Sequence, residues 1–163
     1  MPEKASLLII DDNENMLETL GDILQEKGYR TETAKTGEEA IKKAKEDFFN
    51  VALIDIKLPD MTGIEVLKTF REKYPSRLNI IITAHADLQN AVNALNLGAN
   101  AYIKKPIDHE TLDQMIKECL QKQEEALTIS QEKLAEFVEE EIEKKTEEEA
   151  RTRLMKQYYR KLP

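Results

Sequence analysis

The sequence predicts an α/β fold, a doubly wound five-stranded parallel sheet with helices on both faces, followed by a charged helical C-terminal extension. Three observations carry this expectation. Ser6–Ile10, Val51–Ile54 and Asn79–Thr83 are continuous apolar runs, the pattern of strands buried on both faces. Stretches with helical spacing alternate with them, and repeated βαβ crossovers put helices on both sides of a parallel sheet. Near Gln123 the composition shifts: glycine disappears, proline is confined to the terminus, and Glu and Lys dominate. The expected division is residues 4–122 for the α/β domain and 123–163 for the extension.

Taken in order, the first strand at Ser6–Ile10 runs into Asp11-Asp12, and Met16, Leu17, Leu20, Ile23 and Leu24 then form a helical stripe. That stripe stops at Lys27-Gly28, a lysine and glycine of the C-cap type. Arg30–Ala34 alternates as a second strand, and Ala40, Ile41 and Ala44 mark the second helix. Val51–Ile54 leads to Asp55, followed by a third stripe of Ile64, Val66, Leu67 and Phe70. Asn79–Thr83 is the fourth strand, and Val92, Leu95 and Leu97 precede a further C-cap signal at Gly98. Ala101–Ile103 is a short fifth strand, and Leu112, Met115, Ile116, Cys119 and Leu120 form the fifth stripe.

In the extension, Leu120, Leu127 and Leu134 recur every seven residues, and Leu134, Val138, Ile142, Ala150, Leu154, Tyr158 and Leu162 fall on a grid of four. A grid of four drifts around a helix, which disfavours one straight seam. Thr128 to Gln131 and Thr146 to Glu149 fit the capping-box pattern and predict breaks. The expectation is therefore a bent helix, a coiled coil, or two to three helical pieces that need a partner surface.

Bulk properties exclude several function classes. A net charge of −8 and a pI near 5.0 disfavour general binding to nucleic acid or acidic membranes. The single cysteine, Cys119, excludes an internal disulfide framework and suits a reduced compartment. No run approaches the ~18 apolar residues that span a membrane, and Met1-Pro2-Glu3-Lys4 does not open a signal peptide. A soluble cytoplasmic protein is expected.

The chemistry is expected at the carboxyl ends of the strands, where such sheets bind ligands. Asp11, Asp12 and Asp55 end two neighbouring strands, and oxygen ligands without nearby His or Cys suit a hard cation, best Mg²⁺. The cation also offsets the repulsion that like charges impose on one another. Thr83 brings a hydroxyl to the same edge and Lys105, beside Pro106, an ammonium. Carboxylates, metal, hydroxyl and ammonium together make a site for a phosphoryl group.

These residues, with Leu53-Ile-Asp-Ile-Lys-Leu-Pro-Asp-Met-Thr-Gly63, Ile81-Ile-Thr-Ala-His85 and Gly98-Ala-Asn-Ala-Tyr-Ile-Lys-Lys-Pro106, give the chain its resemblance to the receiver domain of two-component response regulators, from Lys4 to Lys122. The resemblance implies the flavodoxin-like strand order 2-1-3-4-5. It implies that Asp55 accepts a phosphoryl group from a histidine kinase or phosphotransfer protein. Asp12, Asp55 and the backbone carbonyl of Lys57 would ligate Mg²⁺, with Asp11 acting mostly through water. Lys105, joined to Pro106 by a cis bond, would pair with the phosphoryl oxygens. Thr83 would swing toward the phosphoryl group and Tyr102 turn inward, changing the face of the fourth helix, fifth strand and fifth helix. Homodimerisation is expected through that face or through the C-terminal helices. Such a protein is no enzyme beyond its own phosphoryl acceptance and dephosphorylation.

Lys57 and His85, two residues after the acceptor and after the switch threonine, flank the expected phosphoryl position and are candidates for setting phosphate lifetime. His109 with Glu110 has the look of a kinase phosphoacceptor, but Asp108 reads as an N-cap and places it in a first helical turn. The alternative to a single-domain regulator is the receiver-plus-linker portion of a larger transcription factor or signalling enzyme. A metal-dependent phosphatase would want Asp-x-Asp, which Asp55-Ile-Lys57 does not provide.

Overall fold

The computed structural model describes residues 5–84 and 87–161; Met1 to Lys4, His85 and Leu162 lie outside them. The elements run β1 (Ser6–Ile10), α1 (Glu14–Glu26), β2 (Arg30–Ala34), α2 (Gly37–Glu46), β3 (Val51–Ile54), α3 (Gly63–Lys73), β4 (Leu78–Thr83), α4 (Leu88–Asn96), β5 (Ala101–Lys104) and α5 (His109–Arg160). All strand pairs are parallel, in the order β2-β1-β3-β4-β5. The chain divides into two units, Met1–Leu120 and Gln121–Pro163.

The period of two along each strand builds two cores. Leu8, Ile10, Ala52, Ile54 and Ile81 face α2, α3 and α4 through Ala40, Ala44, Val66, Leu67, Phe70 and Ala94. Leu7, Ile9, Val51, Leu53, Ile80 and Ile82 face α1 and α5 through Leu17, Leu20, Leu24, Leu112 and Ile116. Helix ends follow local chemistry. Asn13, Thr36, Thr62 and Asp87 cap four helices with side-chain oxygens, Thr62 within a complete capping box with Glu65. Gly28 and Gly98 take the positive φ values, 99° and 97°, that a side chain would resist.

Two expectations need correction. In α4 the buried residue is Ala94, whereas Val92 and Leu95 are exposed together with Leu88. The small alanine lets the helix lie close on the sheet, and the bulky apolar residues occupy the outer side. In the extension the expected breaks at Thr128 and Thr146 do not occur, and of the alternatives the two to three helical pieces fall away: among the described residues α5 is one helix from His109 to Arg160. Thr128 and Thr146 sit inside it, and their hydroxyls donate to the carbonyls of Glu124 and Ile142, each at 2.9 Å. Mid-helix there are no orphan N–H groups for a capping box to satisfy, so the hydroxyl turns back to the carbonyl four residues earlier. Residues 124–161 are all exposed, the apolar Leu127, Leu134, Phe137, Val138, Ile142, Leu154 and Tyr158 included.

Apolar periodicity also passes over two buried polar groups. Arg77 is buried at the start of β4; its Nε donates to the Phe49 carbonyl at 3.0 Å, and its guanidinium lies 4.3 Å from the Tyr74 ring centroid and 5.2 Å from that of Phe70. Asp113, between the buried Leu112 and Ile116, accepts a bond from the Tyr29 hydroxyl at 2.8 Å and pairs with Lys117 at 3.0 Å. Burial works against this carboxylate, but the bonds from Lys117 and Tyr29 outweigh it and hold the carboxyl below its usual range. A depressed carboxyl stabilises the fold above the unfolded-state value and ceases to do so as pH falls through the folded-state value. Asp113→Asn should therefore cost about 1–3 kcal/mol at neutral pH, with the gap to wild type closing below about pH 4; urea unfolding at both pH values measures it.

Candidate functional site

Strand register assembles the site. Ile10 pairs with Ala34 and with Ile54, so Asp11 and Asp55 are the first residues beyond two neighbouring strand ends. Backbone bonds hold that edge: Asp11 N–H donates to the Ala34 carbonyl at 3.1 Å and Asp55 N–H to the Ile10 carbonyl at 2.9 Å. Thr83 pairs with Lys104, and Lys105 N–H donates to the Thr83 carbonyl at 2.9 Å. The Lys105–Pro106 bond is cis, as expected.

The sequence-nominated carboxylates come together. Asp11, Asp12 and Asp55 each offer an oxygen within 4.8 Å of the others, with Asp11 and Asp55 buried and Asp12 exposed. Across them reaches Lys105, whose Nζ lies 2.5 Å from Asp11 Oδ2 and 3.0 Å from Asp55 Oδ2. Burial works against the ammonium, but its bonds to Asp11 and Asp55 prevail and hold it above the ordinary lysine value. Asp11 thus has a direct cationic partner that sequence reasoning did not assign to it. The other Asp11 oxygen accepts from Asn13 N–H at 3.0 Å, and Asp55 Oδ1 accepts from Lys57 N–H at 3.3 Å. Glu14, next along the rim, is tied to Lys35.

Thr83 is fully buried at the end of β4. Tyr102 packs against the core on the α2, α3 and α4 side, and burial pushes its phenol up. Lys57 is exposed beside Asp55, and His85 lies outside the described residues. His109 opens α5, where the Thr111 hydroxyl and N–H donate to Asp108 at 2.6 and 3.3 Å; Asp108 is a helix cap, as its sequence position suggested.

The loop after Asp55 is held by contacts that single-sequence reading missed. Gly63 N–H donates to the Ile56 carbonyl at 2.6 Å, and a Cβ on Gly63 would stand 2.1 Å from the Asp55 carbonyl oxygen. Asp60 Oδ1 and Oδ2 accept from Gly37 and Glu38 N–H at the start of α2, each at 2.9 Å. A Cβ on Gly37 would meet Met61 Cγ at 2.4 Å. These contacts join residues far apart in sequence, and only the two glycines hint at them.

An all-oxygen set with two members buried fits a hard divalent cation, since among the described residues the cluster contains no thiolate or imidazole. Among the described residues no helix is long and apolar enough to cross a membrane.

Comparison with known proteins places the fold in a family. The family profile described as response regulator receiver domain matches residues 7–117. The transcriptional regulatory protein ZraR of Klebsiella oxytoca is 36% identical over 118 residues, covering 72% of this chain and 27% of that protein. The photosynthetic apparatus regulatory protein RegA of Rhodovulum sulfidophilum is 36% identical over 108 residues, 65% of this chain and 58% of that one. A CheY-like receiver domain protein from Methanospirillum hungatei superposes with a TM-score of 0.73 at 43% identity, covering 75% of this chain and 98% of its own. The chain belongs to the response regulator receiver domain family. It spans about a quarter of the length of ZraR and somewhat over half that of RegA.

Gly63→Ala should push the Asp55 carbonyl aside and destabilise the fold by roughly 2–3 kcal/mol, read as a lower urea midpoint.

Proposed function

We propose that this chain is a phosphorylation-dependent response regulator in which Asp55 accepts a phosphoryl group from a partner histidine kinase or phosphotransfer protein in a Mg²⁺-dependent reaction. The observation that carries the reading is the Lys105 ammonium lodged between Asp11 and Asp55, with the Asp12 carboxylate beside them. Asp12, Asp55 and the Lys57 carbonyl would hold Mg²⁺, with Asp11 acting through water; the bound ion supplies charge neutralisation for the transferring group.

An Asp55 carboxylate oxygen attacks the phosphorus of the donor phosphohistidine, a P–O bond forms, the P–N bond breaks and the imidazole leaves with the bonding pair. Lys105 stays within reach of the Asp55 oxygens and meets the new negative charge. Thr83, at the end of β4, offers its hydroxyl to the phosphoryl group. The added dianion biases a two-state surface around Tyr102. That face, with the exposed apolar side chains of residues 121–161, then controls association with a protein partner or a second copy. The chain works in the cytoplasm and is no enzyme beyond its own phosphorylation and dephosphorylation.

The lengths of the relatives favour a second reading, in which this chain is the receiver-plus-linker portion of a larger output protein. The phosphoryl chemistry is the same in both.

With Mg²⁺ and acetyl phosphate the chain should gain one phosphoryl group by intact-mass spectrometry, and Asp55→Asn or added EDTA should abolish the gain. Labelling that persists in Asp55→Asn would contradict the assignment. Lys57 and His85 are proposed to set phosphate lifetime, Lys57 by shielding the group from water. Lys57→Ala should therefore shorten the phosphoprotein half-life severalfold, and equal half-lives would remove Lys57 from that role.

A further inference from the structure

The loop between Asp55 and α3 carries the Lys57 carbonyl; its Ile56, Leu58 and Met61 pack partly buried against the core, whereas Lys57, Pro59, Asp60 and Thr62 are exposed. The apolar side chains anchor the inner side of the loop, and its exposed outer backbone stays in one conformation only where specific bonds hold it. Three contacts do so here. Lys57 and Thr62 form a bridge across the loop, Gly63 closes it against the Asp55 carbonyl, and Asp60 fastens its outer end to α2.

The Asp60 attachment is the one that depends on a charged side chain. Its two oxygens accept the first two N–H groups of α2, which would otherwise be orphan donors, at the positive end of the helix dipole. These N–H groups, Glu38 first and Gly37 next, hold its carboxyl below the usual range. The third α2 donor, Glu39 N–H, goes instead to the Thr36 hydroxyl at 3.0 Å. The helix start is therefore capped from two directions, once by its own residue and once by the loop. The contact of Met61 with the bare Gly37 backbone lets the two lie this close.

We propose that Asp60 is a positioning residue: seated on the N-terminus of α2, it fixes the loop that carries the Lys57 carbonyl beside Asp55. The inference rests on the reading of Asp12, Asp55 and that carbonyl as a Mg²⁺ site. It assigns α2 a role in the site although no α2 side chain enters it. Removing Asp60 leaves every ligand in place and loosens the one whose direction is set by loop backbone alone.

The test is Mg²⁺ affinity of the full chain by titration calorimetry, at one temperature well below each variant's thermal midpoint. Thr36→Ala is the control, because it weakens the same helix start and leaves the loop attachment intact. Asp60→Ala should weaken Mg²⁺ binding about tenfold, whereas Thr36→Ala should bind like wild type although both lower the midpoint. Asp60→Asn keeps one acceptor, loses the charge, and should fall between; being isosteric, it also serves if the alanine variant does not fold. Equal weakening by Asp60→Ala and Thr36→Ala, or no weakening by Asp60→Ala, overturns the proposal. Failure of the wild type itself to bind Mg²⁺ overturns the metal reading beneath it, and the two failures are distinguished by the wild-type titration.

Discussion

Two carboxylates at neighbouring strand ends, both buried, are the constraint around which this fold is arranged. Asp11 is 3% and Asp55 7% exposed, too dry for water to screen their repulsion. The Lys105 ammonium meets both, and a buried charge that has a partner is far less costly than one without. Lys105 reaches them only because β5 lies beside β4, β4 beside β3 and β3 beside β1. The sheet order is thus tied to the electrostatics of its edge. A shift of β5 by one residue would replace Lys105 with Lys104 or Pro106 and leave the pair without its cation.

Around that centre the structure relies on backbone more than on side chains. Glycine at position 63 lets α3 begin against the Asp55 carbonyl, and glycine at 37 lets the following loop rest on α2. The acidic edge is therefore backed by three helix starts: α1 capped by Asn13, α2 by Thr36 and Asp60, α3 by Thr62. Helix starts carry partial positive charge, which suits an edge of clustered carboxylates.

Much of the fold was legible in the sequence because its signals are local. Aliphatic runs ending in aspartate marked β1 and β3, and Lys-Gly marked the end of α1. The cluster of Asp11, Asp12 and Asp55 was legible because parallel strands bring their carboxyl ends together. What was missed is long-range or concealed by chemical class. Asp113 lies inside an apolar stripe and its partner Tyr29 is 84 residues away. Asp60 meets α2 from a different loop. In α4, counting large apolar residues pointed to the outer face, because the residue that packs is the smallest of them, Ala94. The threonines at 128 and 146 matched a helix-start pattern whose physical condition, unsatisfied N–H groups, does not hold mid-helix.

The uninterrupted exposure of residues 124–161 has a kinetic meaning. In the first unit a backbone hydrogen bond opens only when packed side chains separate, so its amides are protected by tertiary free energy. In the second, each peptide group is guarded by its own turn of helix and its neighbours at i±4 alone. The chain on its own should therefore exchange its amide protons on two clocks, slow in the sheet and fast along the later turns of α5. A partner that covers Leu134, Val138 or Leu154 would announce itself first as a slowing of that fast clock.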